Sequence, residues 1–558
     1  MDNSRKKLNR IAFISLGLLC FSLFSIYFGT VNNDFYFLKA TGDEIIKTGT
    51  IPDTNPFFVI KGKPLVIQQW LWCVLCSLIA PYGNIGIFII QIVQLGAIAA
   101  LLYAIMKSHV YQGQKTDFKV SGPEIFMLCM FSVYMSLHFI ISIRPESITI
   151  ILLLVQILGT EKYIDGKKPA WLILLPLTTL LEINIHASMW PFHFCVLVPY
   201  FLPFLRLQKR TSAKPFIIPM VLMVASLFVN PVGFKAVMFI FDSFLMGTFK
   251  TFETEEMRSF IAAMKIPYFF FVFLALDSFA YLVRRHELSA TELYISTGLL
   301  FLIFKNLKNA MFFPILVFYF FPKMLRRLKP EIKDEKMKER INKFTGPALC
   351  GITAVSLISS CVIFGKACFS LKLTKDIYDT DILSWEAAGA EPVENIIFKE
   401  SGLSAKILTE HGMGGYFQSK GYRNVYMDVR IESYAFPDTA VSGTESVLKE
   451  YSKICYNPIK SSDNYKFINL FGNKYLMYRE MSPEDKDSLI ETAVEKRDTY
   501  SDSEISHILD TYDFDYIVAS DDWRLLRYLE KSDDYEQLYR QVLSEEYDYS
   551  YILFKRRR

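Results

Sequence analysis

Asp34 is the residue in the N-terminal part of the sequence that is best placed to do chemistry. It follows the first long apolar segment, which ends at Gly29, and it precedes a mostly polar stretch. A carboxylate can take a proton from a hydroxyl group that lies within hydrogen-bonding reach. We therefore predict chemistry at a membrane surface, with Asp34 as the candidate residue. A solvated aspartate beside a helix is the alternative.

Three cationic residues are candidates for binding a phosphate group. Arg144, Lys305 and Lys308 lie in short segments between apolar runs, on the side that the loop charges assign to the exterior. Lysine and arginine are more frequent on the cytoplasmic side, so these three positions need a reason. Both residue types bind phosphate, arginine with a bidentate geometry. Neutralisation of lipid headgroups is the alternative for each of them.

Other polar residues stand at the ends of apolar segments or in the first loop. They are Glu146, Asn184 and His186, together with Gln69 and Trp70. Ionisable and amide groups at the ends of membrane helices usually face the interior of the bundle or a cavity. We predict that the helix-end groups among them face such an interior or cavity. For His186, a structural histidine is the plainer interpretation.

The elements that must position these residues are membrane helices. The chain has 558 residues, of which 52% are hydrophobic and 15% aromatic, and apolar runs recur from residue 11 to about residue 370. Such runs are typical of a protein that crosses the membrane many times. The net charge of +4 is spread over the loops and gives no argument for nucleic acid. Residues 11–29 follow a basic N-terminus and predict an uncleaved signal anchor.

The distribution of basic residues predicts the topology. Basic loops tend to stay cytoplasmic, and residues 323–343 form the most basic loop of this chain. The charges then predict about 11 transmembrane helices, with residues 66–82 lying along the membrane surface. The N-terminus is cytoplasmic in this prediction. The transmembrane domain comprises residues 1–370, and its first external loop is 30–83.

Residues 371–558 differ in composition, because tyrosine, serine and charged residues replace the long apolar runs. Short apolar runs at 425–429, 516–519 and 549–554 predict strands, and helical stretches alternate with them. We therefore predict a polytopic α-helical membrane protein with a C-terminal extracytoplasmic α/β domain. Within that domain, Asp428 and Arg430 are expected to form a structural ion pair.

The cysteines predict neither a disulfide framework nor a metal site. Eight of the nine cysteines lie in apolar runs, and only Cys455 lies in the polar C-terminal region. Cys73 and Cys76 form a CxxC pair, but they lie in an apolar segment and no second pair accompanies them. A redox or zinc role is therefore not expected.

Several short motifs, taken in order, resemble the GT-C type of membrane glycosyltransferases, which includes protein O-mannosyltransferases and lipid A aminoarabinose transferases. The sequence is similar above all to a group of bacterial GT-C-like multispan proteins. The motifs are the aromatic-rich start at Asp34, Ile51-Pro52-Asp53-Thr54-Asn55-Pro56-Phe57, Asn184-Ile185-His186, Asn230-Pro231-Val232-Gly233, Gly414-Gly415-Tyr416 and Asp428-Val429-Arg430. Together they span most of the chain.

The resemblance implies an activity. A GT-C enzyme of this kind would transfer a sugar, mannose in several relatives, from a polyprenyl-phosphate donor to an envelope or secreted acceptor on the outer face, with inversion. Asp34 would be the base, and Arg144, Lys305 and Lys308 would bind the donor phosphate. The resemblance also implies that Glu146, Gln69, Trp70, Asn184 and His186 line the pocket for the sugar or its acceptor, with Glu146 where relatives often have aspartate. The chain lacks the acidic triplet of metal-binding oligosaccharyltransferase subunits, so we expect no metal and no cofactor besides the donor.

Two other classes of function remain open at the level of the sequence. One is a transporter or flippase of lipid-linked sugars, although internal repeats and helices broken at the midplane, which are typical of transporters, are not visible. The other is a non-catalytic GT-C-like scaffold in envelope assembly. The sequence does not define the sugar, the acceptor, the length of the lipid or the oligomeric state.

Overall fold

The structure is a computed structural model, and it describes residues 3–26, 28–106, 122–135, 143–201, 212–245, 266–284, 290–305, 307–316, 335–371, 373–378, 385–430, 434–435, 439–441, 443, 445–455, 482–521, 523–544 and 549–558. The chain forms two compact units, and each combines separate stretches of sequence. The first unit contains Met1–Thr30, Tyr82–Gly233 and Glu255–Asp376. The second unit contains Val31–Pro81, Phe234–Thr254 and Ile377–Arg558.

Most of the described residues are helical. The α-helices, in chain order, are α1 (Asn3–Ser25), α2 (Asn33–Thr48), α3 (Trp70–Ile79), α4 (Gly83–Met106), α5 (Gly122–Met135), α6 (Glu146–Gly166), α7 (Leu174–Ile185), α8 (Trp190–Cys195), α9 (Val198–Phe201), α10 (Lys214–Ser226), α11 (Phe234–Leu245), α12 (Ile266–Arg284), α13 (Ala290–Lys305), α14 (Glu335–Ser370), α15 (Trp385–Ser401), α16 (His411–Lys420), α17 (Val447–Ile454), α18 (Pro483–Glu495), α19 (Asp502–Tyr512) and α20 (Arg524–Lys531). Short 3₁₀ helices occur at Ala80–Tyr82, Pro169–Ile173, Ala187–Met189, Leu307–Phe312 and Gly402–Ser404.

The described helices confirm that this is a helical membrane protein. Among the described residues, 4 segments are long and apolar enough to cross a bilayer, namely Lys7–Ser25, Trp70–Met106, Glu146–Gly166 and Pro347–Ser370. Shorter apolar helices occur at Gly122–Phe131, Pro169–Ile185 and Lys214–Ser226. Four of the apolar segments that the charge rule counts as spans, at 124–142, 189–205, 260–283 and 309–322, extend beyond the described residues. The total of about 11 spans, the interfacial position of residues 66–82 and the sides of both termini therefore stay predictions.

Apolar side chains fill the core of the first unit. Ile98 of α4, Ile150 and Leu154 of α6, and Ile303 of α13 are among the buried residues that pack together there. Lipid tails are as apolar as these side chains, so close packing and hydrogen bonds between helices hold such a bundle together. The start of α6 is thereby fixed against the neighbouring helices.

The second unit contains a five-stranded mixed sheet. Its strands are β1 (Lys406–Leu408), β2 (Asn424–Val425), β3 (Tyr516–Ser520), β4 (Tyr535–Ser544) and β5 (Tyr549–Arg556), in the order β2-β1-β3-β5-β4. The β1 strand pairs in parallel with β2 and β3, with Ile407 opposite both Val425 and Tyr516. The β5 strand pairs antiparallel with β3 and β4. Helices α15 to α20 lie before or between these strands in the sequence.

Helix α2, from the first loop, belongs to the same compact unit as the sheet. It packs against α3 on one side and α16 on another. A Cβ atom at Gly42 would lie 2.0 Å from the carbonyl oxygen of Cys73, so only glycine permits this approach of α2 to α3. The second unit therefore unites the loop that carries Asp34 with the C-terminal region.

Candidate functional site

Helix α6 begins with a buried carboxylate that is paired with a lysine. The amine of Lys308 lies 3.1 Å from Oε1 of Glu146, and the side chains are 23% and 5% exposed, respectively. Glu146 occupies the first turn of α6, where the partial positive charge of the helix N-terminus favours an acidic residue. Lys308 lies in the 3₁₀ helix that follows α13. The pair thus consists of a fixed carboxylate and a partly accessible amine.

Two more of the sequence-predicted residues join this pair. The carboxylate of Glu146 interacts electrostatically with Arg144 and His186, as well as with Lys308. The carbonyl of Arg144 accepts hydrogen bonds from the backbone N–H and the hydroxyl of Ser147, at 3.4 and 2.9 Å. Four of the predicted site residues are therefore gathered around the start of α6.

Asn184 and Lys305 of the first unit have other surroundings. The amide of Asn184 donates to the carbonyl of Leu180 at 2.8 Å and to that of Val229 at 3.0 Å. This side chain thereby links the end of α7 to the turn before the Asn-Pro-x-Gly motif. Lys305 is the exposed last residue of α13. Their predicted roles, in the pocket and in phosphate binding, stay predictions.

A buried polar network connects α6, α7 and α8 close to the Glu146–Lys308 pair. Glu182, at the end of α7, accepts a hydrogen bond from the hydroxyl of Thr149 at 2.6 Å. The same hydroxyl lies 3.1 Å from Nδ1 of His186. Oε2 of Glu182 lies 3.2 Å from Nε2 of His193, which belongs to α8. All four side chains are buried.

Gln156 closes the far end of this network. Its Oε1 lies 2.7 Å from Nδ1 of His193, and its Nε2 donates to the backbone carbonyl of His193, also at 2.7 Å. The site predicted from the sequence included none of Thr149, Gln156, Glu182 and His193. Their spacing was a usable signal, since Glu146, Thr149 and Gln156 share one face of α6 at helical intervals.

Asp34 belongs to the second unit, in the first turn of α2. Asn32 caps that helix, because its side-chain oxygen accepts the backbone N–H of Asp34 at 2.9 Å. A Cβ atom at Gly415 would lie 3.0 Å from the backbone nitrogen of Phe37, so α16 packs directly on the first turn of α2. The position of Asp34 therefore depends on contacts with the C-terminal region.

Gln69 and Trp70 also belong to the second unit. Gln69 is the residue before α3, and its carbonyl accepts the backbone N–H of Cys73 at 3.0 Å. Trp70 is the first residue of α3, and both side chains are half-buried. Their assignment to a sugar or acceptor pocket stays a prediction.

Asp428 and Arg430 form the structural ion pair that the sequence predicts. Nε and the backbone N–H of Arg430 donate to Oδ1 of Asp428 at 2.9 and 2.8 Å, and Nη2 contacts Oδ2. Gln418 and Tyr434 also donate to the carboxylate, at 2.6 and 2.8 Å. Nη1 of Arg430 donates to the hydroxyl of Thr41 in α2 at 3.2 Å. The pair thereby ties the first loop to the C-terminal region.

The charges of this pair support each other. Burial by itself would raise the pKa of Asp428, but the Arg430 charge and the hydrogen bonds hold that pKa below its ordinary value. The guanidinium also lies over the rings of Phe37 and Phe57, with distances of 5.5 and 5.6 Å to the ring centres. Both charges are thus kept in the interior of the second unit.

Among the described residues, no group of three or more His, Cys, Asp or Glu side chains could hold a metal ion. The expected absence of a metal and of a cofactor stays a prediction.

No family model matches the chain, and no curated protein matches it. Solved structures do. One is the archaeal oligosaccharyltransferase AglB from Archaeoglobus fulgidus, in complex with an inhibitory peptide and a dolichol-phosphate. It has a TM-score of 0.50 at 9% identity, and the match covers 98% of this chain and 74% of that one. The oligosaccharyltransferase of Archaeoglobus fulgidus in the apo form has a TM-score of 0.41 at 8% identity, covering 91% and 69%.

The first comparison establishes the fold. AglB is a GT-C-type glycosyltransferase. The chain therefore has a fold similar to that of this oligosaccharyltransferase, and the resemblance that its motifs indicate is confirmed for the fold alone.

Proposed function

We propose that this protein transfers a sugar or glycan from a polyprenyl-phosphate-linked donor to an acceptor on the outer face of the membrane. The GT-C fold supports this class of reaction. The dolichol-phosphate and the peptide bound to AglB support a lipid-linked donor, and they make a peptide the first acceptor to test. Glycans and lipids are the other acceptors to include, and a mannosyl donor is the first sugar.

The observation that carries the proposal is the Glu146–Lys308 pair. Lys308 is partly exposed while Glu146 is buried, so the lysine can turn to a phosphate group and keep the carboxylate behind it. Arg144 adds a second cation beside the same carboxylate. Cations fixed in place before the reaction stabilise the negative charge that develops on a leaving phosphate. Lys305 is a further candidate for this role.

The proposed reaction is a single displacement. A hydroxyl or amide of the acceptor attacks the anomeric carbon, and the bond from that carbon to the phosphate oxygen breaks. The electron pair of that bond leaves with the lipid phosphate, whose charge Lys308 and Arg144 would stabilise. Asp34 accepts the proton of the acceptor, and the sugar is inverted. Gln69, Trp70, Asn184 and His186 are proposed to contact the sugar or the acceptor.

A transfer assay with matched variants tests Asp34. Membranes that contain the full chain are incubated with a panel of radiolabelled polyprenyl-phosphate and polyprenyl-diphosphate sugars and with peptide, glycan and lipid acceptors. We expect Asp34→Asn to lower the transfer rate roughly 10²- to 10⁴-fold, as for loss of a general base. Asp53→Asn is the control, because Asp53 is an exposed acid of the same loop. Equal rates for Asp34→Asn and Asp53→Asn would refute the role of Asp34.

The same assay tests Lys308. We expect Lys308→Gln to lower the rate roughly 10²- to 10³-fold, which is typical for loss of one group that stabilises developing charge. Lys168→Gln, at an exposed position before α7, is the control. A chain that folds but transfers no sugar from any donor of the panel would contradict the enzymatic proposal and favour a scaffold. Movement of labelled lipid across vesicles without transfer would favour the flippase.

A further inference from the structure

The hydrogen bonds around His193 determine how many protons the buried network holds. Gln156 has only one suitable orientation, because its NH₂ group must face the carbonyl of His193, 2.7 Å away. Its Oε1 therefore faces Nδ1 of His193, also at 2.7 Å. A carboxamide oxygen can only accept a hydrogen bond, so Nδ1 of His193 carries a proton.

The other nitrogen of His193 then faces a carboxylate oxygen. Nε2 lies 3.2 Å from Oε2 of Glu182. A neutral imidazole with its proton on Nδ1 has a lone pair on Nε2, and an ionised carboxylate has only lone pairs. Two lone pairs in contact inside an apolar bundle would repel, so one further proton must lie between these two atoms.

We infer that Glu182 and His193 share one buried proton, and that the hydrogen bonds of this pair position Glu146 and Lys308. The proton lies either on His193, as an imidazolium opposite a carboxylate, or on Glu182, as a carboxylic acid opposite a neutral imidazole. In either form every polar atom of the contact has its partner. The pair is a proton-binding site, and its function rests on the proposed transfer reaction.

Thr149 links the Glu182–His193 pair to Glu146 and Lys308, where phosphate binding is proposed. Its hydroxyl donates to Oε1 of Glu182 and can accept the N–H of His186, which lies 3.1 Å away. Thr149 follows Glu146 by three residues, so the two lie on the same face of α6. The Glu182–His193 pair joins α7 to α8, and Thr149 and Gln156 join both to α6. The start of α6 is thereby held in one orientation.

Nuclear magnetic resonance tests the proton count without any need for activity. The full chain is labelled with ¹⁵N only in its 7 histidines and reconstituted in liposomes at neutral pH. A His193→Gln variant assigns the signals of His193, and a His193→Asn variant takes its place if the first does not fold. Infrared spectra of the wild type and Glu182→Gln show whether a carboxylic acid band disappears.

Two results would support the shared proton. Either both ring nitrogens of His193 carry protons, or only Nδ1 does and a carboxylic acid band disappears in Glu182→Gln. Glu161→Gln, which alters another carboxylate of α6, should leave the His193 signals unchanged. A single proton on Nδ1 without a band that depends on Glu182 would overturn the inference. A single proton on Nε2 without such a band would overturn it as well.

Kinetics with two variants test the positioning role. Glutamine at position 182 can accept from Thr149 and donate to Nε2 of His193, so Glu182→Gln keeps every hydrogen bond without the shared proton. We expect it to fold and to keep the KM for the donor. Glu182→Leu removes these bonds, and we expect its KM to rise roughly 10- to 100-fold while the protein stays folded. Equal KM values for Glu182→Leu and the wild type would refute positioning, whatever the proton count.

Discussion

Replacement of Asp428 by alanine is the sharpest test of the second unit. The change leaves the Arg430 guanidinium buried without its carboxylate, and it removes the acceptor of Gln418 and Tyr434. Removing one partner of a buried ion pair costs about 3 to 5 kcal/mol, because the remaining charge stays in a poorly solvating interior. We expect the free energy of unfolding of the second unit to fall by that amount.

Hydrogen exchange of the full chain in detergent measures this loss segment by segment. A fall of about 3 to 5 kcal/mol corresponds to a rise of roughly 10²- to 10⁴-fold in the exchange rate of amides that open with the unit. Because Arg430 donates to Thr41, amides of α2 and amides of β1 and β3 should accelerate together. An increase confined to the C-terminal region would refute the conclusion that the first loop is part of one cooperative unit.

Two further variants check the cause. Addition of Arg430→Leu to Asp428→Ala removes the unpaired charge, so most of the lost stability should return. Lys555→Gln is the control, since Lys555 and Glu400 form an exposed ion pair with an N–O distance of 2.7 Å. Its cost should be below about 1 kcal/mol. A double variant as unstable as Asp428→Ala would show that the lost hydrogen bonds, and not the buried charge, dominate.

Two other predictions concern the same unit. Burial opposes ionisation of Glu445, but hydrogen bonds from Lys453, Tyr500 and a second lysine lower its pKa to about 2. Because the folded pKa lies below the unfolded value of about 4.3, this stabilisation is complete above that pH and disappears as the pH falls toward about 2. Glu445→Gln should therefore flatten the pH dependence of the free energy of unfolding across this window. An unchanged slope of that free energy against pH would contradict the prediction. Gly415→Ala forces a methyl group against Phe37, so we expect thermal unfolding to show a free energy of unfolding lower by about 1 to 3 kcal/mol. We also expect a lower transfer rate, because Asp34 is displaced. A variant with wild-type stability and transfer rate would refute the contact between Gly415 and Phe37.

The sequence predicted local features better than distant contacts. The ion pair of Asp428 with Arg430 follows from residue types and short spacing. The predicted strand at 425–429 is shorter in the structure and ends at Val425, because Asp428 instead accepts the backbone N–H of Arg430 in a local turn. In the first unit, the apolar pattern predicted helices, while Arg144, Glu146, His186 and Lys308 were grouped mainly by resemblance to the GT-C superfamily.

Contacts between distant residues could not be predicted from one sequence. The packing of α2 against α16 depends on Gly415. A glycine has no side chain, so the sequence gives no indication that this position contacts another helix. The Glu182–His193 pair is different, because Glu182, His186 and His193 recur at helical spacing in an apolar stretch. A search for such spaced polar residues would have indicated buried polar faces on α6 and α7, though not that Thr149 and Gln156 contact Glu182 and His193.

The discontinuity of the second unit has a consequence for biosynthesis. Thr41 and Arg430 are 389 residues apart in the chain, yet they are joined by a hydrogen bond. At roughly 5 to 20 residues per second, a ribosome needs about 20 to 80 seconds to make the intervening chain. Throughout that time α2 has left the ribosome without the C-terminal partners of its buried face. Its apolar residues must be sheltered meanwhile by the membrane surface or by a chaperone, and completion of the chain becomes the step that gives the first loop its final shape.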